Sequence, residues 1–455
     1  MLHQGILVLD FGTSAVRAFI IDVETGFELS TSSQKYLYEY INPAIAELSP
    51  QMLWEKSETA VADALSTLRA PTELLGISFS FFGDNIMVVD ARGSPLSNLI
   101  LSHDQRGTFE SAYINSKLGS SFQEITGEQC SRFCPPAKIL WMRGNLPALA
   151  GRTDLKFWNV QQYIMSRLGF PDYCDYSMAS RLVLLDNARG QWSEQLLDTI
   201  GVAPSQLGKL INASAPIGTV HHYGQTVLRR ELPVLVGGHD VALALLGTGV
   251  YGNDLRVVSN VTGTYESFGV FSDTYRMLSS DTENPLLCCY MSAVDRHWLC
   301  LADLGPVGLQ LEQFLYQSYG NTSPESFSDL WKNAIFGVSY TDFAFQTLHS
   351  SRYDSFVALI QHINAESRQA LHLLESRLAT TFSSVRIGGG FTRSDPWLQL
   401  RTDCFRLPVE RIENTDVSAL GAAVLAAHSL GAYQSIEQAV AAMVKIRDTF
   451  YPRTS

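Results

Sequence analysis

Two strand–turn–strand units, one near each end of the first 275 residues, set the frame of this chain. Gly5–Asp10 and Ala15–Asp22 are apolar, β-branched runs joined by Phe11-Gly12-Thr13-Ser14. Leu255–Val261 leads through Thr262-Gly263-Thr264 into Tyr265–Phe271. Apolar runs broken by a short glycine turn predict β-hairpins. The same device used twice implies two weakly similar halves of a duplicated α/β architecture, with a cleft between them. At 455 residues the chain is too long for one ordinary core, and two or three domains are expected. The boundary is expected near Ala242–Tyr251, dividing 1–245 from 246–455.

Between the hairpins, a third strand is expected near Phe27–Ser32, a helix over Gln51–Leu68, and a strand with an irregular middle over Gly76–Asp90. Pro233–Val236 reads as a short buried strand that ends in Gly237-Gly238. Farther on, Val307 to Ser383 is mainly helical in pattern, Val385–Gly390 is a strand breaking into three glycines, and Ser418–Ser429 is a small-residue helix suited to tight packing.

A net charge of −12 disfavours polyanionic nucleic acid and anionic membrane surfaces as partners, so any phosphate binding must rest on backbone groups and metal. The seven cysteines show no repeated metal-ligand spacing and read as reduced, buried thiols. The first residues lack a signal-peptide pattern, and no apolar run approaches the roughly 20 residues of a membrane helix. A cytoplasmic protein is expected.

Candidate chemistry concentrates at the turns. Asp10 ends a strand just before Gly12, Thr13 and Ser14, a composition suited to a phosphate–magnesium unit: glycine lets the backbone approach an anion, and an acid orients metal-bound water. Thr262, Gly263 and Thr264 repeat the device, so a phosphate chain held by both turns would explain the pair. Asp240 follows Val236-Gly237-Gly238-His239, beyond a strand end, where a carboxylate could accept the proton of an alcohol during phosphoryl transfer. The alternative is a cap on a helix starting at Val241. A His239–Asp240 dyad is not expected, because adjacent residues on an extended segment point apart. Gly388, Gly389 and Gly390 with Ser394 could lie under a nucleotide. Asp84, and Asp104 with Arg106, are groups of the kind that bind sugar hydroxyls, although a surface turn or a structural ion pair explains Asp104–Arg106 equally well.

Taken in order, these segments resemble the FGGY family of carbohydrate kinases. The resemblance runs from Leu9–Ser14 with Arg17, through Asp104-Gln105-Arg106, Pro136–Trp141, Asp175–Ser180 and Gly237–Asp240, to Thr262–Glu266, Gly388–Ser394 and Ala419–Ala423. It implies two actin-like (ribonuclease H-like) α/β domains flanking a central cleft, with 1–245 binding sugar and 246–455 binding nucleotide. It also implies ATP and Mg2+ as cofactors, Asp240 as base, Asp10 organising magnesium through water, and Thr13 and Thr264 near the phosphates. The acceptor would be a small sugar or polyol, for example a ketopentose, and a homodimer is the family's common habit. Two departures stand out: the Phe-rich strand before Asp84, and the missing Gly-Glu-Arg-x-Pro segment after the second phosphate motif. A non-catalytic sensor of the same fold and an actin-like ATPase acting on protein partners remain the alternatives.

Overall fold

Residues Ile6–Phe11 are buried without interruption, because the first strand, His3–Phe11, is covered on both faces. It pairs antiparallel with Ala15–Asp22 and parallel with Thr72–Phe81, which places it inside a sheet rather than at an edge. The structure is a computed structural model and describes residues 2–36, 39–42, 45–252, 255–263, 265–278, 287–334 and 351–453. These divide into two units: Met1–Asn253 with Phe271–Cys300 and Val417–Lys445, and Asp254–Val270 with Leu301–Asp416 and Ile446–Ser455. The bounds differ from a single cut at 245/246, since two later segments return to the first unit.

In the first unit the sheet runs Pro216–Tyr223, Thr226–Leu235, Thr72–Phe81, His3–Phe11, Ala15–Asp22, Glu28–Lys35, with Gly238–His239 also paired to Thr72–Phe81. The expected strand over Gly76–Asp90 is two strands, Thr72–Phe81 and Met87–Val89, and the irregular middle between them holds Asp84. The expected strand Pro233–Val236 is the end of a ten-residue strand that stops at Leu235; the hairpin it makes with Pro216–Tyr223 was hidden by the polar, half-exposed residues of both strands. Helix Pro50–Thr67 starts at Ser49, whose side chain accepts from Met52 N–H, with Pro50 pre-set at the first turn. Its buried Leu53, Trp54, Ala60, Val61 and Ala64 form the stripe that seals one face of the sheet.

The second unit repeats the pattern. Val257–Thr262 pairs antiparallel with Glu266–Ser272 and parallel with Ser384–Gly388, which pairs with Val409–Ile412 and that in turn with Ile446–Phe450. Thus each unit is built on a hairpin whose first strand takes a parallel neighbour. The helical region resolves into Val307–Tyr319, Pro324–Asn333 and Arg352–Leu378, packed around Leu311, Phe356, Ile360 and Trp397; residues 335–350 lie outside the described ones. No helix among the described residues is long and apolar enough to cross a membrane, and all seven cysteines are free thiols.

Helix Val417–Ser429 packs into the first unit, and two glycines let it approach helix Asp240–Gly247 closely. A Cβ on Gly421 would lie 1.8 Å from the Leu243 carbonyl oxygen, and one on Gly247 would lie 1.9 Å from that of Val417. The backbones of helices Asp240–Gly247 and Val417–Ser429 therefore touch, as the small-residue composition foretold. Gly421→Val should cost about 3 kcal/mol, the upper part of the overpacking range, and be read as a lowered unfolding midpoint. A midpoint equal to the parent's would mean that the two helices do not need this contact.

Candidate active site

Hairpin register builds the first part of the site. Asp10 and Arg17 lie directly opposite each other, and Arg17 Nη2 donates to Asp10 Oδ2 at 2.6 Å. The Ser418 hydroxyl donates to the other oxygen at 3.2 Å, so a residue from the returning helix completes the setting of Asp10. The turn is closed by Gly12 N–H donating to Ala15 carbonyl at 3.0 Å. Among the described residues the Thr13 and Ser14 hydroxyls have no protein partner.

Asp240 opens helix Asp240–Gly247, with His239 at the cap position and no side-chain capping bond. The helix thus starts one residue before Val241, so that Asp240 is its first residue rather than its cap. Asp240 Oδ1 accepts from Val241 N–H at 2.7 Å, while its side chain keeps 30% of its surface exposed. Burial first, and then the negative charge of Asp10, push its carboxyl up to about 8; Asp84 adds to the rise and Arg181 opposes it. The structure thus gathers Asp10, Asp84 and Asp240 within electrostatic reach of one another.

Asp84 has φ +58°, a left-handed conformation that costs a non-glycine residue energy and persists only where neighbours enforce it. Three do so. Its carbonyl accepts from buried Lys138 Nζ at 3.0 Å, its carboxylate pairs with Arg181 at 2.6 Å, and Asn85 ties Phe82 to Val160. Lys138 also donates to Leu101 and Ser102 carbonyls, and burial lowers its amine to about 8. Arg181 contacts Glu128 at 3.4 Å as well and lies 5.0 Å over the Tyr290 ring.

Asp104 and Arg106 are differently placed. Asp104 is fully buried and accepts from Ala46 N–H and from Arg106. Arg106 pairs also with Glu47 at 2.6 Å and stacks 4.4 Å from the Trp141 ring. This is the geometry of a structural ion pair, and the burial of Asp104 excludes the surface turn.

The second unit carries the other turn and the glycine loop. Gly263 N–H donates to Tyr265 carbonyl at 3.0 Å; Thr264 lies outside the described residues. Gly389 has φ +113°, and a Cβ there would sit 1.8 Å from the Thr262 carbonyl oxygen, so the loop after Gly388 presses directly on the Gly-Thr turn. Gly263 and Gly390 face open space. Thr262 Oγ1 is buried without a partner among the described residues, and Ser394 makes no capping bond with the helix it precedes. Bare backbone beside an orphaned hydroxyl fits a phosphate group. For magnesium, no cluster of three metal-ligating side chains occurs among the described residues. Carboxylate oxygens such as Asp10 suit that cation through its water shell.

Sequence reasoning missed Arg181, Lys138 and the contacts of His239. His239 Nε2 lies 3.2 Å from Asp240 Oδ1, against the expectation that the two side chains diverge. The reason is that the chain turns from strand Gly238–His239 into the helix between them, so they do not share an extended segment.

The model of the N-terminal domain of the FGGY family of carbohydrate kinases matches residues 5–247, and that of the C-terminal domain matches 341–430. The xylulose kinase of Bacillus subtilis is 23% identical over 98% of this chain and 93% of its own length. The glycerol kinase of Thermococcus kodakarensis is 24% identical over 99% and 93%. The solved structure of a xylulose kinase from Lactobacillus acidophilus superposes with a TM-score of 0.83 at 19% identity, covering 99% of this chain and 94% of that one.

Proposed function

The chain belongs to the FGGY family of carbohydrate kinases, and on that premise we propose that it phosphorylates a hydroxyl of a neutral ketose or polyol, with Asp240 as the base. It is a carbohydrate kinase with the two-domain actin-like fold, and kinases of this family use ATP as phosphoryl donor. A ketopentose such as xylulose is the first candidate acceptor, with a triol such as glycerol next; the relatives' names support both.

One observation carries the reading: Asp240 stands in the first turn of a helix, with its carboxyl raised into the range where a base both accepts and releases a proton near neutrality. The acceptor oxygen forms its bond to phosphorus as the bond to the leaving ADP breaks, and the hydroxyl proton passes to Asp240. Asp84, fixed in its strained conformation, would orient the acceptor. Gly12, Thr13, Ser14 and Arg17 would take phosphate, and Thr262, Gly263, Thr264, Gly388, Gly389, Gly390 and Ser394 would take nucleotide or phosphate. Magnesium, when bound, neutralises phosphate charge, with Asp10 holding its water. Asp104 and Arg106 would shape the acceptor side indirectly, through the loop that Lys138 ties to Asp84.

Charge argues for a neutral acceptor. Asp10, Asp84 and Asp240 lie together, and the guanidinium of Arg181 is committed to Asp84 and Glu128. A sugar acid would have to be desolvated beside three carboxylates, which like charges oppose. In a panel of ketopentoses, tetruloses, glycerol and an aldonate, a neutral compound should raise ADP release at least about tenfold over basal hydrolysis, a difference of about 1.4 kcal/mol in barrier. The aldonate should not. Acceleration by the aldonate alone would overturn the neutral assignment, silence across the panel would favour the sensor, and acceptor-independent hydrolysis would favour the ATPase.

A further inference from the structure

His239 is buried, at 5% exposure, and it is held on every side. Its backbone N–H donates to Ser177 Oγ at 2.8 Å, and that hydroxyl donates in turn to Asp175. Its Nδ1 lies 3.4 Å from the Tyr290 hydroxyl, whose ring meets it edge-on at 5.8 Å. Its Nε2 lies 3.2 Å from Asp240 Oδ1. Gly83 leaves just room for the ring: a Cβ there would come within 2.7 Å of Nε2.

Once Asp240 is ionised its carboxylate only accepts, so in that state the neutral ring faces it favourably only with the proton on Nε2. Nδ1 is then the acceptor and the Tyr290 hydroxyl the donor. The ring stays uncharged because burial, and then the positive charge of Arg181, hold it well below the usual imidazole range. Asp240 Oδ1 accepts from Val241 N–H and has His239 Nε2 beside it at 3.2 Å, close but not aligned as a hydrogen bond, whereas Oδ2 has no partner among the described residues.

We propose that His239, oriented by Tyr290, is a positioning residue: it holds Oδ1 of Asp240 so that Oδ2 is presented to the acceptor hydroxyl. The inference rests on Asp240 being the base. The 3.2 Å approach is loose for a hydrogen bond, and such contacts tighten once substrate is bound. The charged groups around the pair are Arg181 on helix Tyr176–Arg181, Asp84 after strand Thr72–Phe81 and Asp10 on the first strand, with Tyr290 on strand Leu287–Met291.

The test uses the full chain and the best acceptor from the panel, with pH profiles of kcat/KM for His239→Ala, His239→Gln and Tyr290→Phe. Loss of the N–H donor removes a contact that favours ionised Asp240, so His239→Ala should lower kcat at least about tenfold and move the acid limb to higher pH. The KM for nucleotide should hold. His239→Gln, which keeps a donor, should recover part of both effects. Tyr290→Phe, which keeps the ring packing, should show the same shift in smaller measure. Parent-like profiles in all three variants would overturn the inference, as would a fall in kcat with an unmoved acid limb. If His239→Ala fails to fold, Tyr290→Phe decides alone. Activity retained by Asp240→Asn would sink the base assignment instead, so the two failures are distinguishable.

Discussion

Asp240→Asn should lower turnover by at least roughly a hundredfold, the low end for loss of a general base, while nucleotide affinity stays within about twofold, under about 0.5 kcal/mol. The amide is isosteric with the carboxylate and can still accept from Val241 N–H, so the change removes the proton acceptor and little else. Turnover within about threefold of the parent would refute the role. In the parent enzyme, kcat/KM should fall on the acid side with a limb displaced well above the ordinary carboxylate range, since the free carboxyl sits at about 8. The same variant should be more stable than the parent. A raised carboxyl binds its proton more tightly in the folded state, so the stability contributed is complete below the unfolded pKa, about 4, and is lost as pH rises toward 8. The variant, neutral throughout, avoids that loss. Its advantage should be absent near pH 3.5 and at least about 1 kcal/mol at pH 8, given about 1.4 kcal/mol for each tenfold gain in proton affinity on folding and the partial exposure of the group. An equal Tm at pH 8 would contradict the burial argument.

Arg401→Met should have the largest effect on stability. Arg401 and Glu266 are both fully buried. Arg401 donates to both Glu266 oxygens, to Asn260 Oδ1 at 2.9 Å and to Ser367 Oγ at 3.3 Å, with its guanidinium over the Trp397 ring at 4.7 Å. Removing one member of a buried pair strands the other, at a cost of about 3–5 kcal/mol. Asn260 and Glu266 flank the turn at Gly263, so hydrogen exchange should quicken first in strands Val257–Thr262 and Glu266–Ser272. Adding Glu266→Gln to Arg401→Met removes the stranded charge and should restore at least about 1 kcal/mol, since a buried amide desolvates at far lower cost than a carboxylate. A single variant within about 0.5 kcal/mol of the parent, the noise of an ordinary surface change, would show that the pair does not hold the hairpin.

Much of the site was legible because its signals are local. Asp10 and Arg17 meet through the register of one hairpin, and a glycine turn between two β-branched runs fixes that register over a few residues. The compression of Gly389 against Thr262 was less so: three consecutive glycines announced an unusual backbone, but not which carbonyl it would touch. Asp104 and Arg106, two residues apart, were recognisably a pair, yet only burial and the third partner, Glu47, showed how fully they are committed to each other. The His239–Asp240 contact leaves no such signal, because it depends on the chain turning from strand Gly238–His239 straight into a helix.

The duplicated hairpins, the glycine turns, the small-residue helix and the isolated carboxylates after strand ends are all written in a few neighbouring residues. What those carboxylates face depends on how the whole chain packs. Arg181 reaches Asp84 across 97 residues of sequence, Tyr290 reaches His239 across 51, and Arg401 reaches Glu266 across 135. Such partners leave no local pattern, because their positions follow from the order of strands in each sheet. The conformation of Asp84 and the oxygen of Asp240 left open are set by those distant groups, and that is why they could not be read from the chain alone.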